Sequence, residues 1–208
     1  MPGTPINLAV LVSGSGTTLQ NLIDRIGDGS LDARIAVVIG SRSELLGLKR
    51  AADAKLMNFV VDRRDYPDVA AFSRQVFKLC DDAGVGLVCL AGWLCLLEIP
   101  PRYAGRVMNI HPALLPSFGG KGMYGQKVHQ AVLDHGCKVS GCTVHYVDGQ
   151  YDNGPIILQR VCPVLDDDTP ELLAARVFAE EKIAYPEAIN LFAQGRLQIE
   201  GRRVRVKN

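Results

Sequence analysis

Short apolar blocks alternate with amphipathic stretches over the first half of the chain. Residues 7–13 read as a strand with a continuously apolar centre, the pattern of a strand buried on both faces. Gly14-Ser15-Gly16-Thr17-Thr18 follows, and then Leu19, Leu22, Ile23 and Ile26 recur at helical spacing. The same alternation predicts strands at 35–39, 58–61, 87–90 and 107–111, with helices at 44–55 and from about 69 to 82. Strands alternating with helices argue for a parallel sheet with right-handed crossovers.

The pattern changes after His111. Residues 112–124 are rich in Pro and Gly without periodicity, so they read as a long loop, a length that suggests function or mobility. A helix is predicted over 126–133. Strands follow at 140–147 and 155–164, close enough in sequence to pair antiparallel. Thr169-Pro170-Glu171 carries the N-cap, first-position proline and acidic first turn of a helix start. That helix should run to about 193, with Pro186 expected to kink or break it. The basic tail 201–207 reads as a solvated terminal strand or ribbon.

The length, 208 residues, and a hydrophobic content of 48% suit one domain with a large core, and no repeat, linker or domain boundary is visible. A formal net charge of +1 gives no footprint for nucleic acid. No apolar run is long enough for a membrane span, and no leader precedes the first strand, so a cytoplasmic location is expected. The six cysteines form no C-x-x-C pair and sit mostly in apolar runs, which reads as reduced thiols. Cys137 and Cys142 lack the histidine spacing of a metal site, and no metal is expected.

Three stretches carry candidate chemistry. The Gly-rich turn at 14–18 stands where a strand enters a helix, and free N–H groups at a helix N-terminus favour an anion. It lacks the Gly-Lys-Ser/Thr of a P-loop, and Leu19 replaces the third glycine of a dinucleotide fingerprint, so a single phosphate suits it best. Asn109 and His111 share one side of a strand that stops at Pro112, and Asp152 lies in an Asp-Asn-Gly turn. An amide, an imidazole and a carboxylate together can stabilise an oxyanion and move a proton. If Asp152 reaches His111, its charge should raise the imidazole pKa. The apolar segment 90–97, which holds the only Trp, reads as core or as a wall for a flat heteroaromatic ligand. His145 reads as a satisfied core residue, and His129 and His135 as surface residues.

Ser13 to Gln20, Leu90-Ala91-Gly92-Trp93, the run from Asn109 to Pro116, Gly141-Cys142-Thr143-Val144-His145 and the run from Asp152 to Gln159 together resemble the phosphoribosylglycinamide formyltransferases. These are folate-dependent formyltransferases of purine synthesis, and the resemblance covers nearly the whole chain. It implies a Rossmann-like three-layer α/β fold with a mostly parallel central sheet and antiparallel strands in the C-terminal half. It also implies one formyltransferase domain over 1–208, with the phosphate bound by the part up to about residue 105 and the catalytic residues and folate loop in the remainder. The implied reaction is direct transfer of the formyl group of 10-formyltetrahydrofolate, a cosubstrate, to the amine of glycinamide ribonucleotide, in a monomer or homodimer.

By the same resemblance Asn109, His111 and Asp152 are catalytic. Ser15, Gly16, Thr17, Thr18 and Glu180 would hold the ribonucleotide. Arg64, Leu94, Cys95, Leu96, Leu97, Asn109, Val147 and Tyr151 would bind the folate, and Leu115-Pro116 would be cis. The chain departs from many relatives at Cys95, where they carry Arg, and in the loop 120–126, where they carry histidines and Lys121 is the candidate substitute. Formyltetrahydrofolate hydrolase, methionyl-tRNA formyltransferase, a non-catalytic binder and a pyridine-nucleotide oxidoreductase are the competing readings. The first two families add a regulatory or an RNA-binding domain, and the last is disfavoured by Leu19 and by Gly40-Ser41-Arg42 after the second strand.

Overall fold

The structure is a computed structural model that describes residues 5–207. Its contacts divide the chain into two compact units, with the boundary between Met108 and Asn109. In the first unit, strands β1 (Ile6–Val12), β2 (Ala33–Gly40), β3 (Asn58–Val60) and β4 (Leu87–Leu90) lie in the order β3-β2-β1-β4. All three pairings are parallel. Leu8, Ala9, Val10, Leu11 and Val12 are wholly buried, which is why β1 shows no polar alternation. Helices α1 (Thr17–Gly27), α2 (Leu46–Asp53) and α3 (Val69–Asp82) connect the strands. The Asp68 carboxylate caps α3 by accepting from Ala71 N at 2.6 Å.

β5 (Val107–His111) runs across the boundary and delivers Asn109 and His111 to the second unit. There α4 (Gln126–Asp134) is followed by β6 (Val139–Tyr146) and β7 (Ile156–Pro163), which pair antiparallel as expected. α5 (Pro170–Ala193) packs on both strands. The tail is a hairpin of β8 (Leu197–Glu200) and β9 (Arg203–Val206), with β9 meeting β7 in parallel where Arg203 faces Ile156. The fold is thus mixed α/β, with a mostly parallel central sheet and antiparallel strands in its C-terminal half. Among the described residues no helix is long and apolar enough to cross a membrane.

One sequence expectation is narrowed and another corrected. Pro186 does not break α5, which is helical for 24 residues through it. A proline inside a helix removes one ladder bond, worth ~3 kcal/mol with its steric clash. Tyr185, Ala188 and Ile189 around it are wholly buried, and their packing offsets that loss. His129 is a core residue, 4% exposed, because it lies on the inner face of α4 with Val128 and Val132.

Candidate active site

Asp152 is the centre of the polar network in the second unit. Its Oδ1 accepts from Asn109 Nδ2 at 3.2 Å, and its Oδ2 accepts from the Gly120 N–H at 2.9 Å. His111 Nδ1 stands 3.5 Å from the same Oδ2. The structure therefore brings together the three residues that the sequence singled out as catalytic, from a strand end and a turn 41 or more positions later. Asp152 sits in the left-handed backbone region at φ 51, a conformation that Asp tolerates better than most residues. The loop after Pro116 closes tightly against it. A Cβ on Gly119 would come within 3.2 Å of Asp152 Cβ and 2.5 Å of Leu115 Cδ2, so a side chain there would have to displace Leu115 and press on Asp152.

His111 is 3% exposed. Its Nε2–H donates to the Phe118 carbonyl at 2.8 Å, which leaves Nδ1 towards the carboxylate. Both ring nitrogens thus face acceptors, an arrangement that suits an imidazolium. Burial nevertheless prevails and holds the His111 pKa below the ordinary range, while Asp152 and the Phe118 carbonyl push it up less strongly. The Asp152 charge does push the pKa up, as expected, but the ring has lost its water and that loss sets the net direction. Burial pushes the Asp152 carboxyl up. His145, the charge of His111 and the Gly120 N–H outweigh it, so Asp152 lies below the usual carboxylate range.

His145 belongs to this network, which the sequence reading missed. It is buried and satisfied, as expected of a core histidine, but its partner is Asn109. Its Nδ1–H donates to the Tyr146 carbonyl at 2.8 Å, and its Nε2 faces Asn109 Nδ2 at 3.1 Å and Asp152 Oδ1 at 3.7 Å. The Asn109 amide nitrogen is held between His145 and the Asp152 carboxylate, and the reverse amide orientation would set its oxygen against that carboxylate. A signal was present in β6: Thr143 and His145 are polar at period two in a buried strand. Thr143 Oγ1 donates to Ala113 O and accepts from Leu115 N at 3.0 Å, fixing the backbone just after His111. Leu115-Pro116 is cis.

In the first unit, Gly16 is the N-cap of α1 at φ 71, and no side chain caps the helix. Among the described residues the N–H groups of Ser15, Gly16, Thr17 and Thr18 meet no acceptor of the chain. That is a concentration of donors at the positive end of a helix dipole, suited to an anion. Ser13 Oγ accepts from Leu94 N at 3.1 Å and so ties the segment 94–97 to the end of β1. Within that segment Leu94 is 44% exposed and Leu97 buried, with Cys95 and Leu96 between these extremes. Trp93 belongs to the core, stacked on Phe72 at 5.9 Å.

The remaining candidates are less engaged. Arg64 is an exposed residue of a short 3-10 turn, paired with Asp62 at 2.7 Å. Val147 is partly buried and Tyr151 38% exposed in the turn before Asp152. Glu180 is tied to Arg160 at 2.7 Å. The adjacent Glu181 lies on the side of α5 where burial pushes its carboxyl up to about 7. It is a second candidate beside Glu180, and no local pattern in the sequence singles it out. Among the described residues no group of three or more His, Cys, Asp or Glu side chains is placed to hold a metal ion.

An α/β sheet with an Asn-x-His strand end answered by a turn aspartate is a protein equipped to stabilise an oxyanion and move a proton. The chain belongs to the formyl transferase family, whose pattern matches residues 6–189. It is similar to glycinamide ribonucleotide transformylase 1 from Symbiobacterium toebii, at 46% identity and a TM-score of 0.90 over 99% of this chain and 96% of that one. It is also similar to phosphoribosylglycinamide formyltransferase from Coxiella burnetii, at 37% identity and a TM-score of 0.89 over 97% and 93% of the two chains. Phosphoribosylglycinamide formyltransferase of Haemophilus influenzae is 34% identical over 93% of this chain and 90% of its own length. Against the trifunctional purine biosynthetic proteins of Drosophila pseudoobscura pseudoobscura and Gallus gallus the chain spans 14% and 19% of their length.

Proposed function

We infer that this chain transfers the formyl group of 10-formyltetrahydrofolate to the amine of glycinamide ribonucleotide, a step of purine synthesis. The observation that carries the inference is the Asp152 carboxylate, which joins Asn109 and stands beside His111. The chain has no need of a covalent nucleophile for this reaction, because the attacking amine comes with the substrate.

Asn109 and His111 would hold the tetrahedral oxyanion formed when the amine attacks the formyl carbon. Both Asn109 amide hydrogens and the His111 Nε2–H are committed in the free protein, so donation to the oxyanion exchanges contacts at each residue. His111 is biased to the neutral form when free. A developing negative charge beside it favours the imidazolium, so the cation is stabilised as the transition state forms. Asp152 then holds the ring, and the proton that the attacking amine loses passes to the leaving folate nitrogen as its bond to the formyl carbon breaks. Each such positioned acid or base contributes ~100-fold or more.

The N–H groups and hydroxyls of Ser15, Gly16, Thr17 and Thr18 would take the 5-phosphate, with Glu180 or Glu181 at the glycinamide end. Leu94, Cys95, Leu96, Leu97, Val147, Tyr151 and Arg64 would serve the folate. A single domain over 1–208, as monomer or homodimer, goes with this reading. A cytoplasmic location fits the six free cysteines.

A deformylase reading competes, since formyltetrahydrofolate deformylase from Pseudomonas syringae pv. tomato str. DC3000 has 25% identity and a TM-score of 0.84, with this chain covering 66% of it. A spectrophotometric assay separates the two. Folate deformylation that requires glycinamide ribonucleotide and yields its formylated product supports the transferase. Deformylation without the ribonucleotide supports the hydrolase.

A further inference from the structure

We propose that Arg50 of α2, backed by Gly47, is a positioning residue that aims the phosphate-binding face of the turn 14–18. The proposal rests on the reading of that turn as the ribonucleotide phosphate site. Gly47 N–H donates to Gly14 O at 3.1 Å, and Arg50 Nε donates to Ser15 O at 3.0 Å. Two successive carbonyls of the turn are thereby drawn to one side by α2. In a trans peptide the following N–H points the opposite way. The Ser15 and Gly16 N–H groups are therefore turned away from α2, where they add to the free donors of Thr17 and Thr18.

The fit between turn and helix is close. A Cβ on Gly16 would lie 2.5 Å from Gly47 Cα, and one on Gly47 would lie 3.3 Å from Gly14 O. The half-buried Arg50 side chain is itself fixed, since Nη1 donates to Gln20 Oε1 at 3.2 Å and Gln20 Nε2 donates to Asp24 Oδ1 at 2.9 Å. Gln20 belongs to α1, so the guanidinium clamps the turn to the helix that it starts. Without this clamp the Ser15-Gly16 peptide can rotate and set a carbonyl oxygen, rather than an N–H, against the phosphate.

The test compares Arg50→Met, Arg50→Lys and Gln20→Met with the wild type in the full chain. The readouts are kcat, the KM of each substrate, competitive inhibition by inorganic phosphate, and the amide NMR shift of Gly16 as phosphate is added. Losing one donor to a charged group is worth a factor of about ten or more. Arg50→Met should raise the ribonucleotide KM and the phosphate inhibition constant by about tenfold, leaving kcat and the folate KM within about twofold. Arg50→Lys should recover part of the loss, Gln20→Met should show a smaller change in the same direction, and the Gly16 shift should shrink in parallel.

An unchanged ribonucleotide KM in a folded Arg50→Met protein overturns the proposal. So does an equal loss in kcat and both KM values, which marks a merely structural arginine. If Arg50→Met does not fold, Gln20→Met alone decides by the same measurements. Failure of the underlying site would show in the wild type as phosphate that neither competes with the ribonucleotide nor moves the Gly16 amide, and it overturns both readings.

Discussion

Asp152 shows how one side chain can set the state of several others. Its two oxygens divide the work, one holding Asn109 and the other the loop N–H of Gly120 beside His111. His111→Ala or Asp152→Asn should reduce turnover by ~100-fold or more while phosphate inhibition stays near the wild-type value; steady-state kinetics at saturating substrate check this. Glu181 supplies a second prediction. Its carboxyl is pushed by burial up to about 7, so the folded chain binds a proton there that the unfolded chain releases. Stability from this group is therefore lost as pH rises from the ordinary carboxylate value towards 7. Glu181→Gln should stabilise the ligand-free protein by on the order of 1–3 kcal/mol at pH 8 and by much less at pH 5, as read from urea unfolding at the two values. Equal effects at both values would show that Glu181 is not desolvated.

Among the elements, α5 and β6 carry most of the second unit. α5 starts at Thr169, whose hydroxyl accepts from Leu172 N at 3.3 Å, with Pro170 in the first position. Thr169→Ala should cost about 1 kcal/mol, measured as a lower urea midpoint with unchanged m-value. Nearly all of this was legible in the sequence, because the cap, proline and acidic first turn lie next to one another. The persistence of α5 through Pro186 was not, since local chemistry predicts a break and only the burial of Tyr185, Ala188 and Ile189 overrides it. β6 teaches the same lesson. Its limits follow from hydrophobic pattern to within one residue, but Asn109, the partner that draws His145 into the site, comes from a strand 36 positions away in sequence.

At the scale of the whole molecule, ligand binding offers the broadest check. A substrate that binds only the folded chain stabilises it by mass action, by ~2.7 kcal/mol at a hundredfold excess over Kd. Glucose 6-phosphate, which shares the phosphate but lacks the amine, should give a smaller rise in unfolding temperature than glycinamide ribonucleotide at equal concentration. Equal rises would mean that the glycinamide end is not recognised. The sequence by itself determined the alternation of elements, the Gly-rich turn, the Asn109-His111 strand end and the membership these motifs imply. All of them are encoded within a few residues of chain, where propensity, periodicity and turn chemistry act. Only the tertiary structure decided that burial lowers the His111 pKa, that His145 fixes the Asn109 amide, that Glu180 is spent on Arg160, and that Arg50 grips the Gly-rich turn. Desolvation and hydrogen-bond partnership depend on which residues meet across long stretches of chain, and no local pattern carries that information.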